Sequence, residues 1–385
     1  MELPDYNGGS IVNLMSSLQA ALDGPGHSYP PLELLAFEPL ESYRKILLWI
    51  VDGLGANYLR AYPEATTLNA HMKGAITSVF PPTTATAVTT FLTGDAPQQH
   101  GLTGWHMYFR ELGAVLAVLP GRPRYGGAGL GQAGINTAAF HGHTPFSDKI
   151  GCDSVMLSPG YIAESDYNLA HLGRSRLLGH RDLADFSTQL TEVLTKSEER
   201  YIYAYWSELD NIGHQSGIWS NEAKGHLLEI DQVFSNLLEQ CQGTDSLIIV
   251  CADHGQVDTT AADWVYLDDH PQLREMLSLP LCGEPRAAYC YLRPGYENAF
   301  DDYVASELTG KAVVYPAAEI MEQCWFGLGV PHSQLDQRIG DRLLLMEGNY
   351  TIKDRLAQER RYELVGVHGG TSDDEMNVPV IIAEI

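Results

Sequence analysis

The sequence predicts an α/β protein: a doubly wound, mainly parallel sheet with helices on both faces, plus a smaller α/β insert. Three stretches carry that expectation. Ser246 to Gln256, SLIIVCADHGQ, runs through unbroken apolar residues from Leu247 to Ala252 before Asp253-His254-Gly255. A continuous apolar run closed by a polar cluster reads as a strand buried on both faces, the central-strand type of a parallel sheet. Lys45 to Gly55, KILLWIVDGLG, repeats the pattern and ends at Asp52. Tyr201 to His214, YIYAYWSELDNIGH, repeats it again with Asp210 and His214. In open α/β sheets, ligands bind at the carboxyl ends of the strands. A lone Asp after a strand is an ordinary helix cap. Three of them at one end of a sheet, two accompanied by His, point to metal.

The elements follow in order. Residues 1–40 read as a helical lead-in, with Ile11, Leu14, Met15 and Leu18 on one stripe and Gly24-Pro25-Gly26 as its stop. After Asp52 a glycine turn leads to a short helix from Ala56 to Tyr62. Ser78 to Gly94, SVFPPTTATAVTTFLTG, gives an extended Pro81-Pro82 approach and a buried helix from Thr84 to Leu92. A Thr at the first turn of such a helix faces unsatisfied N–H groups and the positive dipole end. Read locally, a plain N-cap is the simpler role for Thr83 or Thr84. The segment GAVLAVLP forms a strand within an excursion near residues 100–130.

Thr137 to Phe140 reads as a short strand leading into His141-Gly142-His143. Such a pair can bind metal, but without a third local ligand it reads as a loop. Ser187 to Arg200 and Glu222 to Cys241 carry helical spacing. The alternation of strand and helix argues for βαβ units. After Asp258 the texture changes. Residues 270–345 read as the insert, with strands at Ala287–Leu292, Lys311–Tyr315 and Arg342–Met346. The tail then returns to core texture, with His368 in a glycine-rich turn and a last strand from Val378 to Ala383. The catalytic core thus spans residues 1–269 and 346–385.

Composition narrows the function. Hydrophobic residues make up 44% and charged residues 19%, as in a packed globular protein. The formal charge is −25, which repels nucleic acid polymers and anionic membranes. A small phosphate substrate remains compatible, because bound cations reverse the local field. The first residues show no basic or long apolar leader. No segment approaches the ~20 apolar residues of a membrane span. The cysteines form no CxxC pair. The expectation is a reduced, cytoplasmic chain without disulfides or membrane contact; its oligomeric state is not legible.

Collected, the candidate ligands are Asp52, Asp210, His214, Asp253, His254 and His368. Three Asp and three His suit two zinc-like ions. Three carboxylates at one sheet end also repel each other strongly without cations. The order strand-Asp, FPxxT…TG, DxxGH, ADHG and a late HGG resembles the alkaline phosphatase superfamily. It is most similar to the nucleotide pyrophosphatase/phosphodiesterase branch. The resemblance runs from Asp52 to His368 and leaves the insert uncovered. It implies Asp210, His214 and His368 on one metal, and Asp52, Asp253, His254 and the nucleophile Thr84 on the other. Thr83 is the fallback nucleophile. The metals implied are two divalent ions, zinc first and manganese as the alternative.

Two departures stand out. The diesterase branch usually places an Asn on a phosphoryl oxygen where this chain has Trp105. The related sulfatases need a CxPxR-type motif, and Cys282-Gly283-Glu284-Pro285-Arg286 has the wrong spacing. The expected activity is hydrolysis of phosphodiester or nucleotide pyrophosphate bonds through a phospho-threonine, with a small phosphate ester as substrate. Phosphomonoesterase, phosphonate hydrolase and metal-dependent phosphomutase are the enzymatic alternatives. A catalytically silent metal-containing binding protein is the alternative of another class. Diesters are favoured because no Lys or Arg occurs from Ser78 to His100 to grip a dianion, with Arg110 the nearest candidate downstream. Trp105, Tyr108, Phe109 and Trp206 are candidates to bracket an apolar arm.

Overall fold

Every residue of Lys45–Val51 is buried, because this strand lies mid-sheet with neighbours on both sides. The computed structural model describes residues 1–357, 359 and 363–385. The strands up to residue 251 are β1 (Lys45–Val51), β2 (Met72–Thr77), β3 (His106–Phe109), β4 (Ala114–Ala117), β5 (Arg122–Pro123), β6 (Ser154–Pro159), β7 (Arg176–His180), β8 (Tyr201–Trp206) and β9 (Ser246–Cys251). The main sheet has the order β2, Asn377–Glu384, β9, β1, β8, β6, β7. β1 pairs in parallel with both β8 and β9. Asn377–Glu384 runs antiparallel between β9 and β2, so the sheet is mainly, not wholly, parallel.

Register fixes the site. Val51 lies opposite Trp206, and Ile50 opposite Cys251. The three strands therefore end level, and the residues that follow them share one edge. Helices pack on the sheet: Leu183–Lys196 and Asn221–Gln240 bury Phe186 and Phe234 against Trp49. Ile11–Ala21 buries the expected stripe of Ile11, Leu14, Met15 and Leu18. No helix among the described residues is long and apolar enough to cross a membrane.

A second sheet has the order Ala312–Pro316, Arg342–Met346, Ala287–Cys290, Cys282–Gly283, β3, β4, β5. Its strands come from two distant stretches of chain, joined where Gly283 pairs with His106. All six cysteines are free.

Some expectations are corrected. Thr137–His141 is a helix, not a strand. Asn136 accepts from the Ala139 N–H at 3.0 Å, and Gly142 closes the other end at φ 68°. Caps at both ends outweigh the short apolar run. The helix expected from Ser187 starts at Leu183, because Asp182 caps it by accepting from the Asp185 N–H at 2.8 Å. Trp206, Tyr108 and Phe109 pack against other side chains of the fold. Trp206 is buried and donates to His226 at 2.9 Å. Tyr108 packs on Tyr291, and Phe109 lies beneath Arg338.

Candidate active site

Asp52 continues the β1 ladder by one bond, its N–H donating to Trp206 O at 2.9 Å. Gly53 then turns at φ +77°, where a Cβ would stand 3.1 Å from Asp210 Cα. Only glycine lets the β1 turn pass that close to the next carboxylate. Asp210 and His214 lie one turn apart on the helix Glu208–Ser216, with His214 Nε2 3.2 Å from Asp210 Oδ2. His368 arrives from the far end of the chain. Gly366–Val367 pairs with Val257–Asp258, just after His254, and the two imidazoles stack at 3.7 Å.

The carboxylates share one design. Asp253 Oδ1 accepts from the N–H groups of Gly53 at 3.2 Å and His254 at 3.0 Å, while its buried Oδ2 has no partner. Tyr205 OH donates to Asp52 Oδ2, and the buried Asp52 Oδ1 has no partner. Gln256 donates to Asp210 Oδ1. The imidazoles share a second design. Nδ1 of His214, His254 and His368 faces the carbonyls of Gly366 (2.7 Å), Gly255 (3.1 Å) and Pro82 (3.2 Å). A ring whose Nδ1–H is given to a carbonyl keeps its Nε2 lone pair for a metal.

Among the described residues, two groups of ligand atoms gather within 4.8 Å: Asp210, His254 and His368; and Asp52, Asp253 and His254. His254 is thus in reach of both. The resemblance placed it with Asp52, Asp253 and Thr84 on one metal. Burial, then the charges of Asp253 and Asp210, push the Asp52 pKa well up. Burial also raises Asp253. Burial alone would lower His214, but Asp210 outweighs it and raises the pKa to about 9. Burial and the neighbouring His254 lower His368 well below its ordinary value. The site carries three buried carboxylates with too little positive charge of its own. Orphaned carboxylate oxygens beside open Nε2 atoms fit divalent cations.

The helix Thr84–Thr93 starts at this spot. Thr84 Oγ1 lies 3.2 Å from His254 Nε2. The Thr83 hydroxyl instead donates to Glu284 Oε1 at 2.6 Å. Among the described residues, the N–H groups of Thr84 and Ala85 have no acceptor. Glu284 was missed in the sequence, because the CGEPR turn was weighed only as a failed sulfatase motif. It is buried, accepts also from the Trp105 N–H at 2.7 Å, and has its pKa raised by burial to about 7. Tyr205 and Gln256 were missed too; each sits within a motif but gave no ligand signal.

A cavity of about 950 Å³ opens over Thr84, with Trp105, Leu119, Tyr161 and Ile162 among its walls. Trp105 is 37% exposed there. Arg122 is the only Lys or Arg lining it among the described residues. Arg110 lies elsewhere, 3.4 Å from Gln337. A smaller cavity of about 470 Å³ adjoins across Gly283, Glu284 and Pro285 and holds none of the candidate ligands.

A family model described as type I phosphodiesterase / nucleotide pyrophosphatase matches residues 46–371. The chain belongs to this family. Its members lie in the alkaline phosphatase superfamily and hydrolyse phosphoester bonds, and the chain is a hydrolase of that class. The family generally uses divalent metals. Murine ectonucleotide pyrophosphatase/phosphodiesterase 5 has a similar fold, with 19% identity over 87% of each chain and a TM-score of 0.66. One structure of that protein is an inactive variant in complex with AMP. Phosphonoacetate hydrolase from Sinorhizobium meliloti 1021, in complex with phosphonoformate, is 18% identical over 94% of this chain and 92% of its own, with a TM-score of 0.64. No curated protein matches the chain.

Proposed function

We propose that the chain hydrolyses phosphodiester or nucleotide pyrophosphate bonds through a phospho-threonine on Thr84. Two divalent ions, zinc first, are held by Asp52, Asp253, His254 and Thr84 on one side and Asp210, His214 and His368 on the other. One observation carries the reading. Asp52 and Asp253 each have one oxygen pinned by protein donors and one left bare beside imidazole Nε2 atoms. Ions bound there supply charge that lowers the pKa of the Thr84 hydroxyl and stabilises the leaving oxygen.

The chain's own groups do the rest. Thr84 Oγ loses its proton to solvent and attacks phosphorus, the bond from phosphorus to the leaving oxygen breaks, and that oxygen takes a proton from solvent. Water then splits the phospho-threonine and restores the hydroxyl. The N–H groups of Thr84 and Ala85, without an acceptor among the described residues, lie at a helix start and are available to developing phosphoryl charge. They carry part of the role given to Asn in the family, where this chain has Trp105. Glu284 holds the Thr83 hydroxyl, which leaves Thr84 as the free nucleophile. The cavity lies at the upper end of the ~300–1,000 Å³ range of small-molecule sites, with room for an arm beyond the phosphoryl group.

A second reading, phosphomonoester or phosphonate hydrolysis, is favoured by Arg122 on the cavity wall, a cation suited to a dianion. The deciding experiment compares kcat/KM for bis-p-nitrophenyl phosphate, p-nitrophenyl phosphate and a nucleoside-monophosphate p-nitrophenyl ester on one preparation. The diester substrates are expected to lead. A clear monoester preference moves the assignment to the second reading.

A further inference from the structure

The pair His141-Gly142-His143 has no third ligand nearby in sequence. The fold supplies one. His143 Nδ1 lies 2.8 Å from Nε2 of His171, on the helix Asp166–Leu172. The outer nitrogens of both rings face backbone carbonyls. His143 Nε2 is 2.8 Å from His100 O, and His171 Nδ1 is 2.8 Å from Tyr167 O. A carbonyl only accepts, so each outer nitrogen must carry its hydrogen. A neutral imidazole carries one hydrogen. Both inner nitrogens are then bare lone pairs aimed at each other, and that arrangement requires a cation between them.

A proton shared by the pair would satisfy those two rings alone. A third ring completes the picture. His141 is 5% exposed, and neither of its nitrogens has a partner. Its centroid lies 5.4 Å from that of His143 and 5.7 Å from that of His171. Three imidazoles bound to one tetrahedral zinc at ~2.0–2.1 Å sit with centroids about 5 Å apart. Their bound nitrogens are then about 3.3 Å apart, so the present pair opens by roughly half an ångström, and His141, which does not yet bring a nitrogen within 4.8 Å of both, swings one inward. His100 is not a fourth ligand: its Nδ1 accepts from the Leu102 N–H, and its Nε2 meets Thr90 Oγ1.

We propose that His141, His143 and His171 bind one borderline divalent cation, zinc or a neighbour in the first transition row, at a site separate from the catalytic one. The outer bonds to carbonyls are the anchors that metal-bound histidines commonly keep. The site ties the end of the helix Thr137–His141 to the helix Asp166–Leu172. Tyr167 of the latter meets Thr89 of the Thr84 helix at 2.6 Å and lines the substrate cavity. The ion is therefore structural, a staple behind the cavity wall.

The test counts zinc per chain by elemental analysis in the full-length protein, purified without chelator and equilibrated with zinc alone. The variants are His143→Ala, His141→Phe and Asp253→Asn. His141→Phe replaces two unpaired nitrogens with a slightly larger apolar ring, and far-UV circular dichroism checks that each variant is folded. His141→Phe and His143→Ala are each expected to hold one zinc fewer than wild type, and His141→Phe to melt lower. Equal zinc in His141→Phe and wild type, with Tm unchanged or raised, overturns the proposal and makes His141 a packing residue around a protonated pair. Asp253→Asn separates this from the catalytic reading. An ion that survives Asp253→Asn but not His141→Phe supports the staple even if the catalytic assignment fails.

Discussion

Glu284 makes the stability of this protein depend on pH in a way a single substitution removes. Its carboxyl is buried, and burial raises its pKa from the ordinary 4.5 to about 7. A carboxyl whose folded pKa exceeds its unfolded one favours the folded state below the unfolded value. That contribution is lost as pH rises through the folded pKa. For 4.5 and 7, the loss between pH 5 and pH 8 works out at about 2.5 kcal/mol. Glu284→Gln keeps an acceptor for Thr83 and the Trp105 N–H but cannot ionise. Urea unfolding of both proteins, stripped of metal with chelator, at pH 5 and pH 8 isolates the term as a double difference. Wild type should lose about 2.5 kcal/mol more than the variant. The same difference between the two proteins at both pH values would refute the reasoning, and would mean that water or a rearranged turn keeps Glu284 ionised.

Thr84→Ala should lower turnover roughly 10³-fold or more while zinc binding by the carboxylates persists. Thr83→Ala should mainly cost about 1–2 kcal/mol of stability, through the lost bond to Glu284, read by denaturant unfolding. Tyr205→Phe strips Asp52 Oδ2 of its donor and should weaken zinc affinity about 10–100-fold in a competition titration. Arg286 and Glu375 form a buried bidentate pair at 3.0 and 2.8 Å, so Arg286→Ala should destabilise by about 3–5 kcal/mol in urea. Trp105→Ala should reorder substrates by kcat/KM; an unchanged ranking would make Trp105 a bystander on the cavity wall.

The central sheet was legible because β1, β8 and β9 are buried on both faces and leave unbroken apolar runs in the sequence. The gathering of Asp52, Asp210 and Asp253 followed from their place just beyond those runs. His368 was legible only through the spacing of the late HGG turn, since nothing local links it to His254. Glu284 was not legible. Its role comes from Gly283 pairing with His106 across more than 170 residues, and no short pattern encodes that contact. The helix Thr137–His141 misled because five residues hold too few turns for periodicity, and its caps decide it. Trp206 and Phe109 were misjudged because an aromatic near a strand end reads the same whether it lines a cavity or fills the core.

The strand Asn377–Glu384 lies inside the main sheet, between β2 and β9. During synthesis it is delivered last among the described strands. Until it leaves the ribosome, β2 has no neighbour in the sheet and β9 presents an open edge of unpaired N–H and C=O groups. Some three hundred residues separate β2 from its partner. Unpaired strand edges on incomplete chains are the surfaces through which nascent proteins associate wrongly. The same late arrival brings His368 beside His254, so the full metal constellation does not exist before the sheet is nearly closed. Assembly of the site thereby waits on a strand that lies far along the chain from β1 and β9.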